Sequence, residues 1–328
     1  MNRLLPKIDA AGTYEIALAD GRPYVRAVEE ICRQHGLPPP GPRYSSGAIP
    51  TFPIGEHHVL KLFPPPARAN FDRERKLLPY LEGKLEVPTP ALHTAGEFED
   101  WPYLIIQQLP GKDLRKMWPQ LAREDQLRLA GDIGCLLAQL HALSTEGLEE
   151  FREDWSTFLE SQSRACLAHH LQQGAEASWV NQIPGYLASV PLMPPHRLVL
   201  LHTEVMREHV LTAQRAGHWE LSGFIDFEAA RIGHFEYEFA AVGVFLSEGD
   251  PEVLARLLLG YGLEPGEPSL AMQERFMAYA LLHRYSNLKW LLERMPPSPG
   301  TSTLRELARQ WWALPVAGGR AAPAPRSP

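Results

Sequence analysis

Cysteine is scarce in this chain: among 328 residues there are three, Cys32, Cys135 and Cys166, far apart and outside any metal-ligand spacing. An odd, scattered set of this kind argues for reduced thiols in the cytoplasm and against a disulfide framework. Long apolar runs are missing, since none approaches the ~20 residues that a membrane span needs. The N-terminal MNRLLPKIDAAGTYEIALADG has no apolar core of signal-peptide type, so neither export nor a membrane partner is expected. Clusters of Lys and Arg are missing too. With a net charge of −7, the chain offers no basic face to a nucleic-acid backbone. Internal repeats are not evident. What is left is ordinary globular composition, 45% hydrophobic and 22% charged, in a chain long enough for two lobes with a sizeable core.

The most informative stretch is 198–238. An apolar run at 198–201 delivers a polar cluster, His202, Glu204 and His209. Two further runs, 210–213 and 219–225, are joined by Arg215-Ala216-Gly217, which reads as a β-hairpin returning the chain to Asp226 and Phe227-Glu228. Strand ends thus bring acids and imidazoles toward one loop, a pattern suited to holding a cation and to placing a base beside a reacting hydroxyl. The plainer reading is that such acids are solvated and such histidines structural. Features upstream decide between the two.

Residues 1–22 read as a loosely held arm, followed by a helix over 24–34 that ends at Gly36. A turn-rich Ser45-Ser46-Gly47 leads through Thr51 into two antiparallel strands, the second running 59–63 with Lys61 between apolar neighbours. A Lys there is costly unless paired. The helix predicted over 68–83 puts Phe71, Glu74, Leu77, Leu78 and Leu81 on one face, so Glu74 lies within the apolar stripe and wants a cation. Lys61 is the natural partner. A second hairpin, 91–94 with 101–108, is followed by Leu109-Pro110-Gly111, the expected lobe boundary. Helices are then predicted over 123–143 (with His141 as a core imidazole), 151–173 (whole or broken), 182–189, the FAAVGVFL run, 252–259, 271–293 and 304–312. The residues after 315 are low-complexity and read as a disordered tail.

A strand-rich part carrying a buried Lys–Glu pair, followed by a helical part with a polar loop, a hairpin and an Asp-Phe turn, has the layout of kinase-type phosphoryl transfer. Over residues 44–292 the chain resembles the aminoglycoside phosphotransferase family, most clearly in His202–Glu204–His209, Asp226 and Gly233–Glu238. The resemblance implies an α+β, bilobal, protein-kinase-like fold. It divides the chain into an arm and helix (1–40), a nucleotide-binding lobe (41–108), a catalytic and acceptor-binding lobe (109–315) and the tail (316–328). It further implies ATP as donor and Mg²⁺ or Mn²⁺ as metal. Ser45, Ser46, Gly47 and Thr51 would belong to the nucleotide-covering loop. Lys61 would contact phosphates with Glu74 orienting it, and Gln107, Gln108 and Leu109 would form the linker receiving adenine. His202 and Glu204 would be catalytic, Glu204 accepting the substrate hydroxyl's proton, and Asp226 and His209 would hold the metal.

The family's pattern is not matched in full: Thr203 stands for Gly, Glu204 for Asp and His209 for Asn, and the Gly-Asp-x-x-x-Asp motif carries His234 and Glu238. The extra methylene of Glu moves the carboxylate by about 1 Å, a displacement that can cost ~100-fold in rate. His offers nitrogen where Mg²⁺ prefers oxygen, which favours Mn²⁺ or Zn²⁺. Glu149, Glu150, Glu153 and Asp154 are candidate receivers of ammonium groups, or simply a charged helix start. The expected enzyme is a cytoplasmic phosphotransferase acting on a small, cationic hydroxyl compound, an aminoglycoside such as hygromycin B. The alternatives are a weak nucleotide-binding pseudokinase, a kinase of choline, homoserine or a sugar, and a purely structural protein.

Overall fold

Burial of one helix against one sheet organises the start of the chain. The computed structural model describes residues 3–8, 22–45, 47–192, 198–263 and 269–314. Helix α1 (Arg22–Gln34) is followed by strands β1 (Thr51–Ile54) and β2 (His58–Leu62), helix α2 (Arg68–Leu81), and strands β3 (Leu92–Phe98), β4 (Trp101–Gln107) and β5 (Lys112–Asp113). Next come α3 (Arg123–Ala142), α4 (Trp155–Gln172), α5 (Ile183–Ser189), β6 (Leu198–Leu201), β7 (Val210–Arg215), β8 (His218–Phe224) and β9 (Arg231–His234). The rest is helical: α6 (Glu238–Ala241) continuing into a π-helical turn (Val242–Ser247), then α7 (Pro251–Tyr261), α8 (Leu270–Leu282), α9 (Leu288–Arg294) and α10 (Leu304–Trp311). Among the described residues no helix is long and apolar enough to cross a membrane.

The chain packs as two units, residues 1–120 with 207–231, and residues 121–206 with 232–328. In the first, an antiparallel sheet runs β1-β2-β4-β3, with Lys61 paired in register to Thr51 on one side and Leu104 on the other. Tyr24, Ala27, Val28, Ile31 and Cys32, the inward stripe of α1, close over Leu60, Leu62, Trp101 and Ile105. Leu5 and Ile8 complete this core, the Glu99 carboxylate accepts the backbone N–H groups of Leu4 and Leu5, and Trp101 Nε1 donates to the Pro6 carbonyl. Residues 3–8 of the expected loose arm are therefore tied down, because their leucines and isoleucine have a core to enter. Residues 9–21 and the tail beyond 314 lie outside the described residues.

Strands β5-β7-β8 form a second small sheet in this unit. The β7–β8 turn is made by Ala216 and Gly217, both at positive φ (48° and 86°), the two-residue geometry that suits the twist of a hairpin. In the second unit, α3 and α7 approach so closely that a Cβ on Gly134 would lie 2.0 Å from the Leu257 carbonyl oxygen. Only glycine fits there. The mixed helix and sheet architecture, with a small antiparallel sheet and a larger helical part, is the one expected from the sequence. The single helix predicted over 271–293 is broken, however: α8 ends at Leu282, and α9 starts afresh from an Asn287 cap whose side chain accepts from Trp290 N–H. The 151–173 helix is likewise preceded by a separate 3₁₀ turn, Glu149–Phe151.

Candidate active site

In the first unit a lysine is surrounded by acids. Lys61 stands on β2 between buried Leu60 and Leu62, and Glu74 stands on the buried stripe of α2. Asp226 follows β8 in the left-handed region (φ 74°, ψ 58°), ahead of the 3₁₀ turn Phe227–Ala229. The next residue, Phe227, is fully buried and packs edge-on against Phe224, which anchors the turn. Lys61 Nζ donates to Glu74 Oε2 at 2.5 Å and to Asp226 Oδ1 at 2.7 Å, and it faces Glu228 Oε2 at 3.3 Å. His209 Nε2 lies 3.2 Å from Asp226 Oδ2, and Asn70 Nδ2 donates to Glu228 Oε1 at 3.2 Å. The pairing of Lys61 with Glu74 inferred from their apolar surroundings is thus present.

Burial opposes charge throughout this group, and the neighbours decide which charges survive. Burial would lower the Lys61 ammonium, yet Asp226, Glu74 and Glu228 hold it well above its ordinary value. Burial would raise Asp226, but Lys61 and His209 hold it well below the usual carboxylate range. For Glu74 burial wins, pushing the carboxyl up to about 7 against the pull of Lys61, and Glu228 is raised for the same reason.

A divalent cation fits these residues. Glu74, Asp226 and Glu228 each offer a carboxylate oxygen, all within 4.8 Å of one another. Glu228 Oε2 is buried and is met by the Lys61 ammonium at 3.3 Å without good hydrogen-bond geometry. Oxygen is the donor that Mg²⁺ prefers. His209 is not a member of that three-carboxylate group. Glu228, two residues after Asp226 on the same tight turn, is.

Around Lys61 the other expected nucleotide residues are spread along β1 and β4. Thr51 pairs with Lys61 in the sheet, and its Oγ1 donates to the Ile49 carbonyl at 3.0 Å. Ser45 and Gly47 are exposed, Gly47 at a φ of 96°, and Ser46 lies outside the described residues. At the far end, Gln107 N–H donates to Ala91 and Gln108 N–H to His57, so both are engaged in the sheet, and Leu109 is buried.

The second unit holds the other polar group. From β6 the chain enters His202-Thr203-Glu204, where Thr203 has a φ of 73°, a left-handed conformation that a β-branched residue rarely adopts. Glu238, fully buried, holds it there: its carboxylate accepts His202 N–H at 2.8 Å and Thr203 N–H at 2.7 Å. His141, the expected core imidazole, contacts the same carboxylate at 3.3 Å and Tyr261 Oη at 2.9 Å. His202 Nδ1 accepts Glu204 N–H at 3.3 Å, which leaves the ring proton of the neutral form on Nε2. Glu204 Oε1 meets Arg284 Nη2 at 3.3 Å. Gly233 is required because its Cβ would fall 2.2 Å from the Trp155 ring. Among the acids near 150, Asp154 caps α4 through Thr157 N–H, and Glu149 accepts Gly147 N–H.

The sequence pattern of the phosphotransferase enzyme family matches residues 41–272. The chain belongs to that family. As a member it is a phosphotransferase, an enzyme that moves a phosphoryl group onto an alcohol. Its fold is shared with the GDP complex of aminoglycoside 2'-phosphotransferase-IIIa, at 16% identity and a TM-score of 0.66, over 87% of this chain and 97% of that one. It is shared also with the streptomycin–ATP–APH(2")-IIa ternary complex, at 16% identity and a TM-score of 0.61, over 82% and 94%. Macrolide 2'-phosphotransferase MphH from Brachybacterium faecium is similar as well, at 18% identity and a TM-score of 0.55, over 83% and 98%. At these identities the likeness to the solved phosphotransferases is one of fold.

Proposed function

We propose that this phosphotransferase is a cytoplasmic enzyme that uses ATP to phosphorylate a hydroxyl of a small cationic molecule, an aminoglycoside-type antibiotic such as hygromycin B. The observation that most supports it is the buried Lys61 held between Glu74 and Asp226 at 2.5 and 2.7 Å. A cation so fixed is suited to the phosphates of a nucleotide, and the similar structures include complexes with ATP, with GDP and with streptomycin. The free thiols of Cys32, Cys135 and Cys166 are in keeping with a reducing compartment.

In this reading Lys61 binds the donor phosphates and Glu74 keeps its ammonium aimed. The loop carrying Ser45, Ser46 and Gly47 covers the nucleotide, with Thr51 at the start of β1. Because Gln107 and Gln108 have their N–H groups engaged, adenine would be received by Leu109 N–H or by carbonyls of this linker. Asp226 and Glu228 would hold the divalent cation, with His209 steadying Asp226. When bound, that cation offsets charge on the transferring phosphoryl group. Glu204 accepts the proton of the attacking hydroxyl, and His202 fixes the Glu204 backbone.

Release of ADP, with GTP as alternative donor, is to be followed with Mg²⁺ or Mn²⁺ across hygromycin B, other aminoglycosides and small hydroxylated metabolites including choline and homoserine. Acceptor-stimulated turnover is expected, and its absence under both metals would remove the enzyme assignment in favour of nucleotide binding alone. One observation favours that second reading: Glu204, the proposed base, is already in contact with a cation, Arg284.

A further inference from the structure

We propose that Arg284 is the positioning residue of Glu204, and that the segment joining α8 to α9 supplies what this chain needs in order to work with Thr203-Glu204. The inference rests on the reading of Glu204 as the base. Helix α8 stops at Leu282 and α9 restarts at Leu288, and the intervening residues carry the contacts. His283 Nε2 donates to the Thr203 carbonyl at 3.2 Å, and Arg284 Nη2 reaches Glu204 Oε1 at 3.3 Å. Consecutive residues thus hold consecutive residues.

The physical need is specific. Thr203 occupies a left-handed conformation, so its backbone has to be held on both sides: Glu238 takes its N–H and His283 its carbonyl. Glu204 has one more rotatable bond than an aspartate would have, so its carboxylate sweeps a wider arc. A guanidinium on Oε1 at 3.3 Å restricts that arc. Arg284 is itself held, its guanidinium lying over the Tyr285 ring at 4.4 Å, and a planar, stacked fork is better oriented than a lysine ammonium. Arg284 therefore holds the Glu204 carboxylate in one orientation.

The test uses the full-length enzyme with its fastest acceptor and four proteins: wild type, Arg284→Met, Glu204→Asp and the double variant. Arg284→Met is expected to lower kcat about 100-fold, the scale set by a misplacement of about an ångström, with nucleotide KM and thermal midpoint unchanged. Arg284→Lys is expected to recover part of the loss. In the Glu204→Asp background the same Met substitution should cost under about 5-fold, because the shorter side chain has less arc to restrict. Unchanged kcat in Arg284→Met, or equal losses in both backgrounds, would overturn the inference. A fall in thermal midpoint as large as the fall in kcat would also overturn it, by making Arg284 merely structural. Glu204→Gln separates the two claims: full activity there removes the base assignment itself, whereas inactivity beside a fully active Arg284→Met removes only the role of Arg284.

Discussion

The two polar groups are built on opposite principles. Around Lys61 the main hold is between side chains: an ammonium facing Glu74, Asp226 and Glu228, an imidazole on Asp226 Oδ2 and an amide on Glu228 Oε1. At His202-Thr203 the main hold is a side chain on backbone, Glu238 gripping two N–H groups. A contact made to the backbone survives a change of side chain, since every non-proline residue has an N–H. That is how the loop keeps its place with Thr203 and Glu204 where the resemblance implied Gly and Asp. A contact made between side chains depends on the side chains themselves, and in this group Lys61, Glu74 and Asp226 keep the residues the resemblance implied while His209 stands for Asn.

The sharpest way to test this contrast is to remove the charge on which the first group turns. Asp226→Ala is expected to lower ADP release about 10³-fold or more, the effect of losing several kcal/mol of charge stabilisation. Wild-type turnover would show that Asp226 does not serve the reaction. Lys61→Met comes next. Removing one partner of a buried pair costs about 3–5 kcal/mol, so the urea midpoint should fall by the equivalent of about 3 kcal/mol. No shift would mean that the carboxylates neutralise themselves by protonation as readily as Lys61 neutralises them.

Titration probes the same group more gently. Burial raises Glu74 to about 7, so the fold favours its protonated form. That contribution is complete below the ordinary value of 4.5 and is lost as pH rises through about 7. Asp226 is shifted the other way, below 3.8, and so lies outside this window. The melting temperature of wild type should therefore fall relative to Glu74→Gln between pH 5 and pH 8. A rise would mean that the attraction of Lys61 outweighs burial.

The same contrast explains what could be read in the sequence. Lys61 and Glu74 were legible because each sits where an unpaired charge is expensive, one in an apolar strand and one in an apolar stripe. The β7–β8 hairpin was legible from its Gly217 turn, and the fold class came from the family resemblance that these features share in. Glu228 carried no signal beyond its place two residues after Asp226, and His209 touches the group of three carboxylates at Asp226 without belonging to it. Arg284 was hidden for a different reason. The apolar spacing of 271–293 continues through a break that only Ser286-Asn287, a capping signal, betrays. The strain at Thr203 could not be seen at all, because φ is set by Glu238, which follows 35 residues later.

That strain gives the smallest and most discriminating prediction. If the loop is held through its backbone, the side chain of Thr203 is tolerated and not required, and glycine should relieve its left-handed φ of 73°. Strain of this kind costs about 1–3 kcal/mol, and a glycine gives back about 0.5–1 kcal/mol through the freedom of the unfolded chain. Thr203→Gly should then raise stability by about 1 kcal/mol, read as a higher thermal midpoint, with turnover kept. The rise should vanish in Glu238→Ala, where the backbone N–H groups of His202 and Thr203 lose their acceptor and the loop is free to leave the left-handed region. A loss of stability in Thr203→Gly would mean that the threonine side chain contributes contacts worth more than the strain, and the loop would then depend on side chains as the Lys61 group does.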